Sequence, residues 1–134
     1  MITEDYCSFE VAKLLKEKGF DAECRAAYTN YGKLFTTQIQ QYITNALCSK
    51  GYLWDCTAPT LQMAMQWLRK VYNKHCDVSY DIDLNWFFQI IDLKETVEYD
   101  YPEPKYYHSE NETGFNTHEE AAEAAIKYCL ENLV

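Results

Sequence analysis

The sequence predicts an α+β fold, in which a small antiparallel sheet (a hairpin plus a meander) carries three to four packed helices in a single domain, residues 1–134. Several segments place apolar residues at helical spacing, and later segments alternate apolar and polar residues with period two. The predicted strands follow one another without the crossover helices that a parallel sheet needs. With 134 residues, 48% hydrophobic and 16% aromatic, the chain is long enough for one core and too apolar for intrinsic disorder.

The N-terminal part predicts a helix followed by a hairpin. The helix covers residues 9–18, with Ser8 as its N-cap and Gly19 as the residue that ends it. In residues 25–35, short apolar pieces flank Thr29-Asn30-Tyr31-Gly32. Because Asn and Gly tolerate positive φ, this segment indicates a hairpin or a looped strand.

Residues 37–50 and 59–74 carry the next two helix signals. In 37–50, apolar side chains recur at helical spacing after Thr37, which starts a capping box, so we expect a short helix, with a loop as the alternative. Residues 59–74 predict a second helix, with Thr57 or Ala58 as its N-cap. Pro59 suits the first turn, and an apolar stripe follows it.

From residue 77 onward the apolar period changes to two. Residues 78–82, 86–91 and 96–101 alternate in this way and predict two or three antiparallel strands. Pro102 and Pro104 should end the sheet, because proline cannot donate to a central ladder. The polar segment 102–114 is therefore expected to be a mobile loop.

The last helix begins after Thr117, which forms a capping box with Glu120. Its predicted buried face consists of Ala122, Ala125, Ile126, Cys129, Leu130 and Leu133. The alanines would let this helix lie close to a sheet.

The charge distribution excludes some classes of partner. The net charge is -9, and residues 76–134 hold three basic and fourteen acidic side chains. Only Arg69, Lys70 and Lys74 cluster, at the end of a predicted helix, so we expect no direct binding of nucleic acid. No uncharged apolar run approaches the roughly 18 residues of a membrane span, and the N-terminus lacks signal-peptide features. We expect a cytoplasmic protein that does not enter membranes.

The sequence carries no catalytic signature, and we expect no catalytic residues, no cofactor and no metal. It has no P-loop, GxGxxG or GxSxG motif. Cys48, Cys56, His75 and Cys76 are suitable zinc donors, but their spacing matches no zinc finger. The six cysteines show no CxxC spacing, so we interpret them as free thiols, most of which pack in the core. The sequence thus leans against an enzyme.

An acidic, tyrosine-rich stretch is the strongest candidate for a binding surface. Its residues are Glu98, Tyr99, Asp100, Tyr101, Glu103, Tyr106 and Tyr107. Tyrosines often anchor interfaces, and the carboxylates would attract a basic partner protein. We expect the chain itself to be a monomer or a homodimer. In a sharper form of this hypothesis, regularly spaced carboxylates of a strand and the terminal helix imitate nucleic acid and occupy the basic groove of a nuclease or regulator.

A second hypothesis is the binding of a small molecule or nucleotide. Trp86 and Phe88 could stack on a nucleobase while Arg25 or Arg69 holds a phosphate. A small enzyme is the weaker form of this alternative.

Two segments resemble a known family. Residues 58–69 (APTLQMAMQWLR) fit the pattern APTxxxAxxWLR, and residues 115–124 (FNTHEEAAEA) fit FxTYEEAxEA, with His118 in place of the usual Tyr. Residues 12–21 also fit the sequence pattern of this family. These patterns resemble uncharacterised proteins encoded by phages and prophages of gut Bacteroidetes, with a variable middle at about 36–55 and 77–114. The resemblance implies no activity and no functional residues, but it favours a small phage protein that binds host proteins or signalling nucleotides.

Overall fold

The computed structural model describes residues 4–36, 42–51, 53–98, 102–109 and 114–134, with the backbone alone at 96–98 and 102–104. These residues form four helices and two three-stranded antiparallel sheets, so the predicted α+β class is confirmed. The chain divides into two compact units, Met1–Ala64 and Met65–Val134. The single domain of the sequence analysis stays a prediction.

The first unit contains one sheet and two helices. Its elements are α1 (Phe9–Glu17), β1 (Ala27–Thr29), β2 (Leu34–Phe35), α2 (Asn45–Cys48) and β3 (Trp54–Thr57). The strand order is β2-β1-β3, with antiparallel neighbours. Apolar side chains from α1 and this sheet form its core: Ala12, Ala26, Tyr28, Cys56 and Ala58, with Tyr6 and Phe9 packed against them.

Local signals account for α1 and the hairpin. The Ser8 hydroxyl accepts the N–H of Val11 at 3.2 Å, which satisfies one free donor of the first turn. Gly19 follows the helix with φ of 94°, a left-handed conformation that glycine adopts without strain. The predicted hairpin pairs Ala27 with Phe35. Both predictions are confirmed.

The predicted helix over 37–50 is shorter in the described residues, where only Asn45–Cys48 is helical. Thr44 is its N-cap and accepts the N–H of Leu47 at 3.3 Å. Ile43 stays extended because its backbone exchanges two 2.8 Å hydrogen bonds with Cys24. Thr37, the predicted cap, lies outside the described residues.

The start of the helix predicted for 59–74 is also corrected. Thr57, a candidate cap, is the last residue of β3, a strand that the sequence did not predict. The N–H of Met63 instead donates to the hydroxyl of Thr60 at 3.2 Å. The helix, α3, therefore covers Leu61–Tyr72 and ends at Asn73, whose φ is 58°. The division between the two units falls inside it.

The second unit contains the meander and the C-terminal helix. Its remaining elements are β4 (Lys74–Asp81), β5 (Asn85–Glu98), β6 (Pro102–His108) and α4 (His118–Asn132). The strand order is β4-β5-β6, and all neighbours are antiparallel. Among the described helices, none is long and apolar enough to cross a membrane.

The prediction of a loop over 102–114 is wrong for residues 102–108, which form β6. Residues 96–98 of the expected third strand instead belong to β5. Pro102 and Pro104 are compatible with β6 because this strand lies at the edge of the sheet. On the outer side of an edge strand there is no neighbouring strand to accept a hydrogen bond, so a residue without an N–H is tolerated. Residues 110–113 lie outside the described part of the chain.

Helix α4 packs on β4 and β5. Thr117 accepts the N–H of Glu120 at 3.1 Å, and Oε2 of Glu120 accepts the N–H of Asn116 at 3.3 Å, which confirms a cap of the predicted kind. Its buried side chains are Ala121, Ala122, Ala125, Ile126, Cys129 and Leu130. Leu133 is the C-cap and only half-buried, since the helix ends there.

Candidate binding surface

A two-stranded ribbon extends past β4 in the second unit. Strand β5 has 14 residues, but β4 pairs only with its first part, from Asn85 to Asp92. The N–H of Leu93 still donates to the carbonyl of Asn73 at 2.8 Å, and beyond Leu93 the strand is paired with β6 alone in the described chain, at Thr96, Val97 and Glu98. We call residues 93–98 together with 102–104 the β5–β6 ribbon. The acidic, tyrosine-rich stretch begins on this ribbon and continues along β6.

The structure places the predicted binding residues on different parts of this hairpin. Glu98 pairs with Pro102 and Glu103 with Val97, so the backbones of both acidic residues lie near the end of the ribbon. Tyr99, Asp100 and Tyr101 lie outside the described residues.

Tyr106 and Tyr107 point to opposite faces of the sheet, because they pair with the successive residues Ile91 and Ile90. Tyr106 is 41% exposed, and its ring stacks on that of His108 with centroids 6.4 Å apart. Tyr107 is half-buried on the face that α4 covers, 6.5 Å from the ring of Tyr128. Of the two, Tyr106 is the one that a partner could contact directly.

Asp92 holds the base of the ribbon. Residues 93–95 of β5 interrupt the pairing with β6, because Asp92 pairs with Lys105 while Thr96 pairs with Pro104. Oδ1 of Asp92 accepts the N–H groups of Lys94 and Glu95, each at 2.9 Å, and so closes this bulge. Oδ2 contacts Nζ of Lys74 at 2.8 Å. The carboxylate thus ties the bulge to the first residue of β4.

The environment of Asp92 favours its charged form. The side chain is 4% exposed, and burial alone would raise its pKa. The hydrogen bonds from Lys74, Glu95 and Lys94 outweigh burial and hold the pKa at about 2, below its ordinary value of 3.8. Asp92 is not among the residues predicted from the sequence. The available signal was a single carboxylate inside the apolar run of residues 86–93, where charges are rarely buried unless paired.

The face of the sheet opposite α4 is more open. Its side chains are His75, Asp77 and Ser79 of β4, Phe87, Gln89 and Ile91 of β5, and Tyr106 and His108 of β6. None of them is fully buried, whereas Cys76, Phe88, Ile90 and Asp92 on the α4 face all are. Nδ1 of His75 is shielded from solvent and has no hydrogen-bond partner among the described residues.

The aromatic residues of the small-molecule hypothesis are less exposed than the face of the sheet opposite α4. Phe88 is buried, with its ring 5.9 Å from that of Tyr128 and 6.2 Å from that of Phe115. Trp86 is half-buried and meets the ring of His118 edge-on at 5.4 Å. Stacking a base on Phe88 would therefore require one of these rings to move.

The two arginines of that hypothesis belong to different units. Arg25 is exposed in the first unit, where its guanidinium lies 4.7 Å from the ring centroid of Tyr42. Arg69 is half-buried on α3 in the second unit, as are the two aromatic residues Trp86 and Phe88.

A shallow hollow of about 220 Å³ lies in the first unit. It is lined by Lys16, Gly19, Phe20, Asp21, Asn45, Ala46 and Ser49. Nζ of Lys16 donates to the carbonyl of Asp55 at 2.6 Å, and the amide of Asn45 donates to the carbonyl of Phe20 while accepting the N–H of Thr57. Its volume is below the roughly 300–1,000 Å³ of typical ligand pockets, and these polar groups serve the fold.

All six cysteines are free, as predicted, and all six are buried, where the sequence predicted burial for most of them. The described residues contain no group of three side chains arranged to hold a metal ion. Cys48 and Cys56 belong to the first unit, whereas His75 and Cys76 are neighbours on β4 and point to opposite faces.

These features define an α+β protein in which a β-ribbon with an acidic, tyrosine-rich sequence extends from one sheet. The chain matches no protein-family model, no curated protein and no solved structure. Its function is therefore inferred from the fold and from the side chains themselves.

Proposed function

We propose that this chain is a non-enzymatic binding protein that contacts a basic partner protein through residues 98–107. The observation that supports this proposal is the β5–β6 ribbon, on which Glu98 and Glu103 pair across β5 and β6 beyond the last residue that pairs with β4. A two-stranded ribbon buries little of its own surface, and its described side chains, those of Leu93, Lys94 and Glu95, are exposed.

The chemistry of the stretch suits a protein partner. Within the stretch, Tyr106 is 41% exposed, and beside it on the ribbon Leu93 is 51% exposed. Partly exposed tyrosine and apolar side chains contribute much of the contact energy in interfaces. The excess of acidic over basic residues in 76–134 gives a negative field that would speed the approach of a basic partner and weaken in salt.

The fixed base of the ribbon supports the same proposal. The carboxylate of Asp92 joins the bulge to Lys74, so the ribbon leaves the sheet in a defined direction. A binding element that is already ordered loses less conformational entropy when it binds. The phage context suggested by the sequence makes a host protein the expected partner.

The proposal is tested by reversing the charge of the stretch. The variant carries Glu98→Lys, Asp100→Lys and Glu103→Lys, and a control variant makes the same charge change at the exposed residues Glu17, Glu23 and Glu119. Proteins are captured from bacterial lysate with the wild type and both variants, and each captured protein is then purified for a direct binding measurement at two salt concentrations.

The expected result is a partner that binds the wild type and the control but not the ribbon variant, with binding that weakens in salt. Partners that bind all three proteins equally would contradict the proposal. Small-molecule binding is distinguished by a thermal-shift screen against nucleotides and cyclic dinucleotides. A shift with one of them, together with unchanged protein partners in the ribbon variant, would favour that second hypothesis.

A further inference from the structure

Strand β4 lies at one edge of the second sheet. The N–H of Leu93 donates to the carbonyl of Asn73 at 2.8 Å, which fixes how hydrogen bonds alternate along the β4–β5 pair. The odd-numbered residues of β4 therefore direct their backbone N–H and C=O groups at β5, whereas Cys76, Val78 and Tyr80 direct theirs outward. Within the part of the chain that the structure describes, no backbone hydrogen bond reaches the N–H groups of these three residues.

The opposite edge of the sheet, β6, is protected by its sequence. The N–H of Ser109 donates to the carbonyl of Phe88 at 3.1 Å, so the odd-numbered residues of β6 direct their backbone groups at β5. The even-numbered residues face outward, and two of them, Pro102 and Pro104, have no N–H. Proline on the outer side is a common device against pairing between edges. Residues 74–81 contain no proline, so of these two edges β4 is the one that can accept another strand along its whole length.

The side chains of β4 and of the turn after it also leave apolar surface uncovered. Tyr80 is 58% exposed, and Ile82, directly after the strand, is 86% exposed. An edge strand that combines unpaired backbone groups with such side chains is a template for pairing with a second strand. Most soluble oligomers consist of identical chains related by a two-fold axis, which requires a self-complementary surface.

Like charges restrict the registers in which β4 can pair with itself. A two-fold axis perpendicular to the sheet keeps each side chain on its own face, so odd-numbered residues meet odd-numbered ones. An axis at Asp77 would place the two copies of this carboxylate opposite each other, and an axis at Ser79 would place Asp77 opposite Asp81. Like charges directly opposite each other destabilise a strand pair. Both registers are therefore disfavoured.

The longest remaining register has its axis at Val78. This register pairs residues 75–81, whereas an axis at Cys76 pairs only residues 74–78 of the strand. It places Val78 opposite its own copy and Cys76 opposite Tyr80.

The same register places a carboxylate beside an imidazole that lacks a partner. His75 of one copy lies opposite Asp81 of the second copy, on the face away from α4. Nδ1 of His75 has no hydrogen-bond partner among the described residues, and a carboxylate can accept a hydrogen bond from the imidazole. The register thus combines opposite, and not like, polar groups.

We propose that two copies of this chain associate through β4, antiparallel about Val78, so that their three-stranded sheets join into one continuous sheet. The axis is perpendicular to the sheet, so α4 of both copies lies on the same face and both β6 strands remain at the outer edges. The interface does not use residues 98–107, and the inference is therefore independent of the proposed binding function.

The first test uses the unmodified full-length protein. Sedimentation equilibrium over a range of concentrations should give the mass of two chains. Hydrogen exchange of single amides, measured by mass spectrometry with electron-transfer fragmentation, should show slow exchange at Cys76, Val78 and Tyr80 in the dimer. The outward amides of Tyr106 and His108 should exchange about tenfold faster or more, because they gain no partner.

Val78→Pro should abolish the dimer, because it removes an outward N–H at the axis while leaving every hydrogen bond between β4 and β5 in place. His108→Pro is the matched control, since it removes an outward N–H from the opposite edge, and it should remain dimeric. Circular dichroism compares the folding of the two variants. A monomer at every concentration, a dimer in which the three β4 amides exchange rapidly, or equal loss of the dimer in both folded variants would overturn the proposal. The exchange measurement is made on the wild type and does not depend on whether Val78→Pro folds.

Discussion

Nζ of Lys74 lies 2.8 Å from Oδ2 of Asp92, and this ion pair connects the first residue of β4 to the point where the β5–β6 ribbon leaves the sheet. The side chains of Lys74 and Asp92 are 15% and 4% exposed, so water screens their interaction only slightly. The other oxygen of Asp92 closes the bulge of residues 93–95. One carboxylate therefore stabilises the sheet and orients the ribbon.

Asp92→Asn should destabilise the protein by about 2–4 kcal/mol, because it leaves the ammonium of Lys74 poorly paired where little water reaches it. The measurement is the free energy of unfolding from urea denaturation. Glu95→Gln is the control, since Glu95 pairs with Lys105 at 3.5 Å between exposed side chains. Exposed pairs contribute little, so this control should resemble the wild type. If both substitutions lower the free energy of unfolding equally, the buried ion pair contributes no more to stability than the exposed one.

The same ion pair predicts a loss of stability in acid. The pKa of Asp92 is held at about 2 in the folded state, against an ordinary value of 3.8. Its contribution to stability is therefore complete above pH 5 and is lost as the pH falls through 4 toward 2. This shift corresponds to at most about 2 kcal/mol. Unfolding free energies measured from pH 7 to pH 2 should show the gap between the wild type and Asp92→Asn narrowing in acid; a constant gap would contradict the assignment.

Gly114→Ala should destabilise the second unit severely. Gly114 has φ of 70°, and a Cβ atom there would overlap the carbonyl oxygen of Leu84 and lie 2.9 Å from that of Trp86. Both obstacles are backbone atoms, which cannot move without disturbing the start of β5. We expect a loss of at least about 2 kcal/mol, seen as a lower melting temperature.

Gly19→Ala is the matched control for that substitution. Gly19 also has positive φ, 94°, but an added Cβ would meet no atom within 4 Å. Only the left-handed backbone is then penalised, by roughly 1 kcal/mol. If both variants lose the same stability, steric overlap at Gly114 is not the cause.

Thr117→Ala should remove the N-cap of α4 and lower stability by about 1 kcal/mol, because the N–H of Glu120 loses its acceptor. Thr117→Ser keeps the hydroxyl and should retain most of the stability. Thermal unfolding followed by circular dichroism compares the three proteins. A serine variant as unstable as the alanine variant would indicate that the methyl group of Thr117, and not its cap, is what matters.

The parts of the fold that the sequence predicted well are those specified by neighbouring residues. Ser8 and Thr117 accept N–H groups only three residues away, and the β1–β2 hairpin turns within a few residues at Gly32, whose φ is 79°. Such features depend on local backbone geometry and on the apolar period, both of which can be read from a short window of sequence.

The parts that sequence analysis missed depend on partners far along the chain. Ile43 is extended because of Cys24, and β3 was missed because its pairing with β1 is set by distant residues. The acidic stretch was identified from the sequence, but the position of Glu98 and Glu103 on a two-stranded ribbon was not. The role of Asp92 likewise depends on Lys74, which is 18 residues away.

By itself, the sequence determined the α+β class, two capped helices, the first hairpin and the burial of most of the cysteines. Only the tertiary structure decided that Pro102 and Pro104 lie in a strand, because the edge of a sheet is defined by which strands are absent beside it. It also brought Lys74 to Asp92. The physical reason is that local capping and periodicity act between near neighbours, whereas strand order and buried pairs arise only when distant segments meet.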